Sequence, residues 1–198
     1  MSIVYVFDLD DTLLPTQELF SKQQNKQLLN QLYYPPNNIY FKGTLSDRTQ
    51  LAYNQIIAPD PELIKLFGHL HGHKYIFTNG TRLHSHCALN SIGISNQFKG
   101  QLDREGMEGK MKPDINTFHL MQTALFAAYN KKPTILFLDD QLINLKYAKE
   151  FGWTTIWISP SAVYRPLPGV VDYGFENVKL ALQFLIKSEL FWNSHRFF

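Results

Sequence analysis

The sequence predicts an α/β protein: a doubly wound parallel sheet with a small helical cap inserted after the first strand. Three observations lead there. Short, almost wholly apolar runs recur along the chain, as expected of strands buried on both faces. Longer stretches with helical spacing of apolar residues separate them. One polar segment near the N-terminus breaks the alternation.

Ser2–Phe7 reads as the first strand, Tyr75–Phe77 as the second, Thr134–Leu138 as the third and Thr154–Ile158 as the fourth. The intervening helices have recognisable ends. Leu83–Ile92 stops at Gly93 and Gln141–Phe151 at Gly152, and glycine closes helices because it adopts a left-handed backbone without strain. Asp114–Tyr129 starts just after Pro113, and Glu176–Ile186 carries a strongly apolar face. Strands alternating with helices give a parallel, Rossmann-like core. The exception holds two helix candidates, Gln17–Leu32 and Leu45–Ile57, separated by a stretch in which Pro35-Pro36 forbids a continuous helix. The boundaries follow: residues 1–14 and 73–198 form the core, and 15–72 the cap.

At 198 residues, 44% of them hydrophobic, the chain can bury one sizeable core plus an accessory element. A net charge of +2 with 18% charged residues carries no signature of a nucleic-acid or membrane partner. Cys87 stands alone, so it makes no internal disulfide, and it reads as a small helix-packing residue rather than a reactive thiol. The first residues lack the pattern of a signal peptide, and no apolar run reaches the ~18 residues of a membrane span. A soluble cytoplasmic protein is the expectation.

The chemistry lies at the strand ends. The first strand runs into Asp8-Leu9-Asp10-Asp11-Thr12. In open parallel sheets ligands bind beyond the carboxyl ends of the strands. Carboxylates gathered there repel one another unless a cation compensates, and hard oxygen donors favour magnesium. The plainer alternative is an acidic turn in which Asp11 or Thr12 caps a helix. The second strand ends in Thr78-Asn79-Gly80, a hydroxyl and backbone amides ahead of a helix, which suits an anion. The third ends in Asp139-Asp140, and Lys112-Pro113 precedes a helix. A nucleophile, a cation site and donors for phosphate oxygens are the set that metal-assisted phosphoryl transfer needs.

These four segments, in this order, resemble the four motifs of the haloacid dehalogenase superfamily: Asp8–Thr12, Thr78-Asn79, Lys112-Pro113 and Asp139-Asp140. Thr78-Asn79-Gly80 with His84 and Gly93-Ile94, and Asp139-Asp140-Gln141 with Asn144, Ala148 and Gly152-Trp153, are similar to the pyrimidine 5'-nucleotidase-like branch. Gly80 and Ser85 stand where that branch often has Ala. The resemblance implies a magnesium-dependent phosphatase acting through an aspartyl-phosphate. Asp8 would be the nucleophile, Asp10 the general acid and base, and Lys112 the balancing charge. Leu9, Thr78, Asn79 and Lys112 would bind phosphate. Asp8, Asp10 through its carbonyl, and Asp140 would hold Mg2+, with Asp139 supporting a ligand or reaching the metal through water. The implied substrate is a small phosphate ester, with a nucleoside monophosphate foremost; a sugar phosphate, phosphoglycolate or a non-catalytic scaffold role are the alternatives. Asp10 argues against dehalogenation, since departing halide needs no acid.

Other residues have plainer readings. His69, His71 and His73 read as a solvated turn rather than a zinc site, and His84 as either a site-rim residue or a polar helix residue. Tyr33, Tyr34, Tyr40, Phe41, Arg48 and Tyr53 are cap residues that either pack or touch substrate. The aromatic tail Leu190–Phe198 either packs back or meets a second copy.

Overall fold

The computed structural model describes residues 2–33, 44–129, 132–162 and 167–194, the side chains of 31–33 and 190–194 excepted. Tyr33, Tyr34, Tyr40, Phe41 and the 190–198 tail, each given a reading above, therefore lie outside the described side chains.

Six strands form one sheet: β1 (Ile3–Phe7), β2 (His73–Phe77), β3 (Gly100–Leu102), β4 (Thr134–Asp139), β5 (Thr154–Ile158) and β6 (Tyr173–Phe175). Their order is β3-β2-β1-β4-β5-β6, and every pairing is parallel. The chain winds outward from β1 to β3, then returns to β4 on the other side of β1. That reversal opens a crevice between the carboxyl ends of β1 and β4, the place where such sheets bind ligands. Phe7 pairs with Leu138, so the next residues, Asp8 and Asp139, emerge side by side.

Successive β1 side chains point to opposite faces, and both faces are buried. Tyr5 and Phe7 join one core cluster with Leu63, Phe67, Ile76 and Leu182; Val4 and Val6 join the other with Phe77, Phe118, Phe137 and Trp153. β1, β2, β4 and β5 were legible because each contains a continuous apolar run. β3 and β6, three residues long and each containing a glycine, show no such run.

Helix α5 (Arg82–Ile92) is capped by the Thr81 hydroxyl and closed by Gly93 at φ 88°. Helices α6 (Ile115–Ala128) and α7 (Leu142–Glu150) match their expected positions. The last helix, α8 (Val178–Ser194), runs past the expected end at Ile186. Among the described residues, no helix is long and apolar enough to cross a membrane.

The segment after β1 holds α1 (Thr16–Ser21), α2 (Gln23–Tyr33), α3 (Leu45–Ile56) and α4 (Pro61–His69). The single helix expected over Gln17–Leu32 is broken at Lys22, whose ψ of 130° takes the backbone out of helix. Helix α4 corrects the reading of 15–72 as cap. Leu63 and Phe67 are buried in the core, with Phe67 5.2 Å from the Phe7 ring, and Lys179 on α8 pairs with Asp60 and Glu62. A parallel crossover from β1 to β2 needs a helix on the sheet, and α4 supplies it. The insert is thus α1–α3, with α3 packed on α5.

Candidate active site

Asp8 follows β1 and is 6% exposed. Its Oδ1 accepts from Lys112 Nζ at 2.8 Å, and the same ammonium donates to Asp139 Oδ2 at 2.8 Å. The ammonium also lies 5.0 Å and 5.3 Å from the Phe77 and Phe137 ring centres. Burial lowers the Lys112 pKa, but the charges of Asp139 and Asp8 outweigh it and hold the lysine above its ordinary value. Burial pushes Asp8 well above the ordinary carboxylate range; Lys112 opposes this, and Asp139 and Asp10 add to it.

Asp139 ends β4 with no exposed surface and is saturated. Besides Lys112 it accepts from the Gln141 amide at 2.8 Å and from Asn144 Nδ2 at 3.1 Å. Asp140 is different. Its Oδ1 is buried with no hydrogen-bond partner among the described residues, while the Trp157 indole fixes its backbone carbonyl at 2.8 Å. Burial and the Asp139 charge raise its pKa to about 6. Ligand atoms of Asp8, Asp139 and Asp140 lie within 4.8 Å of one another, the one such group found among the described residues. Three carboxylates against one ammonium leave negative charge uncompensated, and one of them, Asp140, has a buried oxygen without a partner among the described residues. This donor set fits a divalent oxygen-seeking cation such as magnesium.

The loop after β1 turns tightly, with Asp11 at φ 55°. Asp11 Oδ1 accepts the Gln17 amide in the first turn of α1 at 2.9 Å, but the N-cap of that helix is Pro15, so neither Asp11 nor Thr12 fills the capping position. Leu9 is fully buried, so any ligand contact of its own is through the backbone. Thr78 is also fully buried, its hydroxyl accepting from the Gly80 amide at 3.0 Å. The Asn79 side chain grips the lysine loop: Nδ2 donates to the Lys112 carbonyl at 3.0 Å, and Oδ1 accepts the Lys112 amide at 2.7 Å. Sequence reasoning did not foresee that positioning role.

It also missed Thr16 as a partner of Asp10. Asp10 Oδ1 accepts from the Thr16 hydroxyl at 2.8 Å and from His84 Nε2 at 2.7 Å. Burial raises the Asp10 pKa, but these two bonds and the His84 charge outweigh it, and the carboxyl lies below its ordinary value. Of the two readings of His84, the site-rim one holds. Its place three residues after the helix-capping Thr81 was the available signal. His69 Nδ1 donates to the Lys65 carbonyl, and no metal-ligating group forms around His69, His71 and His73 among the described residues. Cys87 is fully buried and its thiol pKa is raised by burial, as befits packing.

Asp140 yields a stability prediction. Its folded pKa of about 6 exceeds the ordinary 3.8, so the folded protein binds more protons than the unfolded chain between those values. Metal-free protein should lose stability as pH rises from about 4 through 6. Asp140→Asn removes that dependence and, in chelator at pH 7, should melt higher, with a gain of about 1–2 kcal/mol after allowance for partial exposure. Magnesium should raise the melting temperature of the wild type and not of the variant. A magnesium response retained by Asp140→Asn would exclude Asp140 as a ligand.

No family model and no curated protein matches the chain. Solved structures resemble it throughout. The HAD-hydrolase YfnB from Bacillus subtilis, bound to magnesium, aligns with a TM-score of 0.59 at 17% identity, covering 93% of this chain and 98% of that one. The L-2-haloacid dehalogenase from Xanthobacter autotrophicus with chloropropionic acid covalently bound gives 0.58 at 15% identity, with 93% and 98% covered. A HAD phosphatase from Thermococcus onnurineus gives 0.60 at 17%, again with 93% and 98%. Both hydrolytic chemistries thus occur among the fold's neighbours. With its six-stranded parallel sheet wound as in these structures, the chain has the fold of the haloacid dehalogenase superfamily.

Proposed function

We propose that the protein is a magnesium-dependent phosphomonoesterase that works through an aspartyl-phosphate on Asp8. The observation that carries this reading is the pairing of a buried Asp8, held by Lys112, with a second carboxyl on Asp10 whose Oδ1 is anchored and whose Oδ2 is left for a proton. An Asp8 oxygen attacks phosphorus, the bond to the leaving oxygen breaks, and Asp10 gives that oxygen its proton. Water then attacks phosphorus, Asp10 takes the water proton, the bond to Asp8 breaks, and phosphate leaves. Lys112 balances charge on Asp8, while Thr78 and the amides of Leu9 and Asn79 bind phosphate oxygens. Asp8, Asp140 and the Asp10 carbonyl would hold magnesium, which would supply charge neutralisation there. Asp139 stays with Lys112 and Asn144 and keeps the lysine in place.

Haloacid hydrolysis, the other chemistry of this fold, uses a nucleophilic carboxylate too. Expulsion of halide has no use for a proton donor, and the anchoring of Asp10 favours phosphate esters. A nucleoside monophosphate is the leading substrate, on the likeness of the second and fourth motifs to the pyrimidine nucleotidase-like branch. The insert α1–α3 would act as the cap that keeps bulk water from the reacting group.

Phosphate release measured over nucleotides, sugar phosphates and phosphoglycolate tests this reading. Turnover should require magnesium, vanish with chelator, and favour nucleoside monophosphates. Equal rates on all three classes would remove the nucleotidase assignment; release from none would remove the phosphatase reading.

A further inference from the structure

A hydrogen-bonded chain runs from the insert into the proposed site. The Tyr53 hydroxyl on α3 lies 2.6 Å from His84 Nδ1, and His84 Nε2 lies 2.7 Å from Asp10 Oδ1. A carboxylate only accepts, so Nε2 carries a proton, and Nδ1 is within hydrogen-bonding reach of the tyrosine hydroxyl. Tyr53 is 5% exposed and packs against Phe20, with ring centres 5.3 Å apart, so its hydroxyl is held in place.

Gly80 belongs to the same arrangement. A Cβ there would lie 2.7 Å from His84 Cδ2, 3.2 Å from the Thr78 hydroxyl and 3.4 Å from Asp10 Oδ2. The imidazole can cross to Asp10 in this pose only because residue 80 has no side chain.

We infer that His84 and Tyr53 are positioning residues that aim the Asp10 carboxyl, and that Gly80 provides the space in which they do so. The inference rests on the phosphatase reading of the same site. With Oδ1 held by His84 and Thr16, Oδ2 is the oxygen free to take up a proton when the phosphate ester binds and to pass it to the leaving group as the phosphorus–oxygen bond breaks. Since Tyr53 sits on the insert, the aim of the acid depends on where α3 rests.

Proton donation matters most for poor leaving groups. The test compares kcat/KM for an alkyl phosphate and for p-nitrophenyl phosphate, whose phenolate leaves with little help. His84→Asn should lower the alkyl value about 10²-fold and the aryl value several-fold less. Tyr53→Phe, which keeps the ring and its packing, should lower the alkyl value about threefold to tenfold. Gly80→Ala should displace the ring and lower the alkyl value more than the aryl one, on top of an equal loss on both substrates from crowding the Thr78 hydroxyl, so that the alkyl-to-aryl ratio is the readout. Uniform losses on both substrates, or none, in folded variants of an active wild type would overturn the inference alone. A wild type inactive on both would overturn the phosphatase reading, and the inference with it.

Discussion

Asp8→Asn should abolish turnover, by about 10⁴-fold or more, while leaving the fold and its melting temperature intact. The substitution is nearly isosteric, and the amide has no oxygen basic enough to attack phosphorus. Removing a buried charge is usually dangerous, but here the folded protein itself disfavours the charge, because burial raises the Asp8 pKa well above the ordinary value. A neutral amide suits that environment, and its oxygen can still accept from Lys112, which retains Asp139 as its second partner at 2.8 Å. The metal-free variant should therefore melt no lower than the wild type. Single-turnover phosphate release, acid-quench capture of phosphoprotein and a thermal melt check the three parts. Captured phosphoprotein in the variant, or turnover near the wild-type rate, would mean that the nucleophile is another residue.

The residues of this centre were legible in the sequence because their positions depend on local order. An apolar run such as Ile3–Phe7, buried on both faces, must end somewhere, and the carboxylates written just after it fall at the sheet rim. The same holds for Thr134–Asp139. The neighbourhood of β1 and β4, which brings Asp8 and Asp139 to one ammonium, follows from the winding of the sheet. What stayed hidden depends on contacts between distant segments. His84 meets Asp10 across 74 positions, and Tyr53 meets His84 across 31; no periodicity announces either pair. Helix α4 was read as cap because its segment lay between the polar insert and β2, although Leu63 and Phe67 already carried the apolar spacing of a sheet-facing helix. The strands β3 and β6 are too short to show any period, and hydrogen bonding to β2 and β5 defines them.

Lys112→Met should weaken both fold and function, and the two losses should separate with pH. The methionine matches the aliphatic stem of the lysine and suits the aromatic surface of Phe77 and Phe137, so packing changes little. What is lost is the cation shared by Asp8 and Asp139, two carboxylates that are 6% and 0% exposed. Breaking a buried ion pair from one side costs about 3–5 kcal/mol, since the remaining charge has no water to turn to. The folded variant can relieve this only by binding protons or a metal. The Asp8 pKa, already raised by burial, should rise further without the opposing ammonium, so the variant's stability should recover as pH falls from 7 towards 5 in chelator. Turnover should not recover with it, because charge opposite the phosphate is missing at every pH; a loss of about 10²–10³-fold in kcat is expected. Magnesium at neutral pH should restore part of the melting temperature and little of the rate. Urea unfolding and phosphate release, each followed from pH 5 to 8 with and without magnesium, give the comparison. A variant as stable as the wild type at pH 7 without metal would show that the carboxylates do not bear the charge assigned to them, and with it the case for a cation at this crevice would fall.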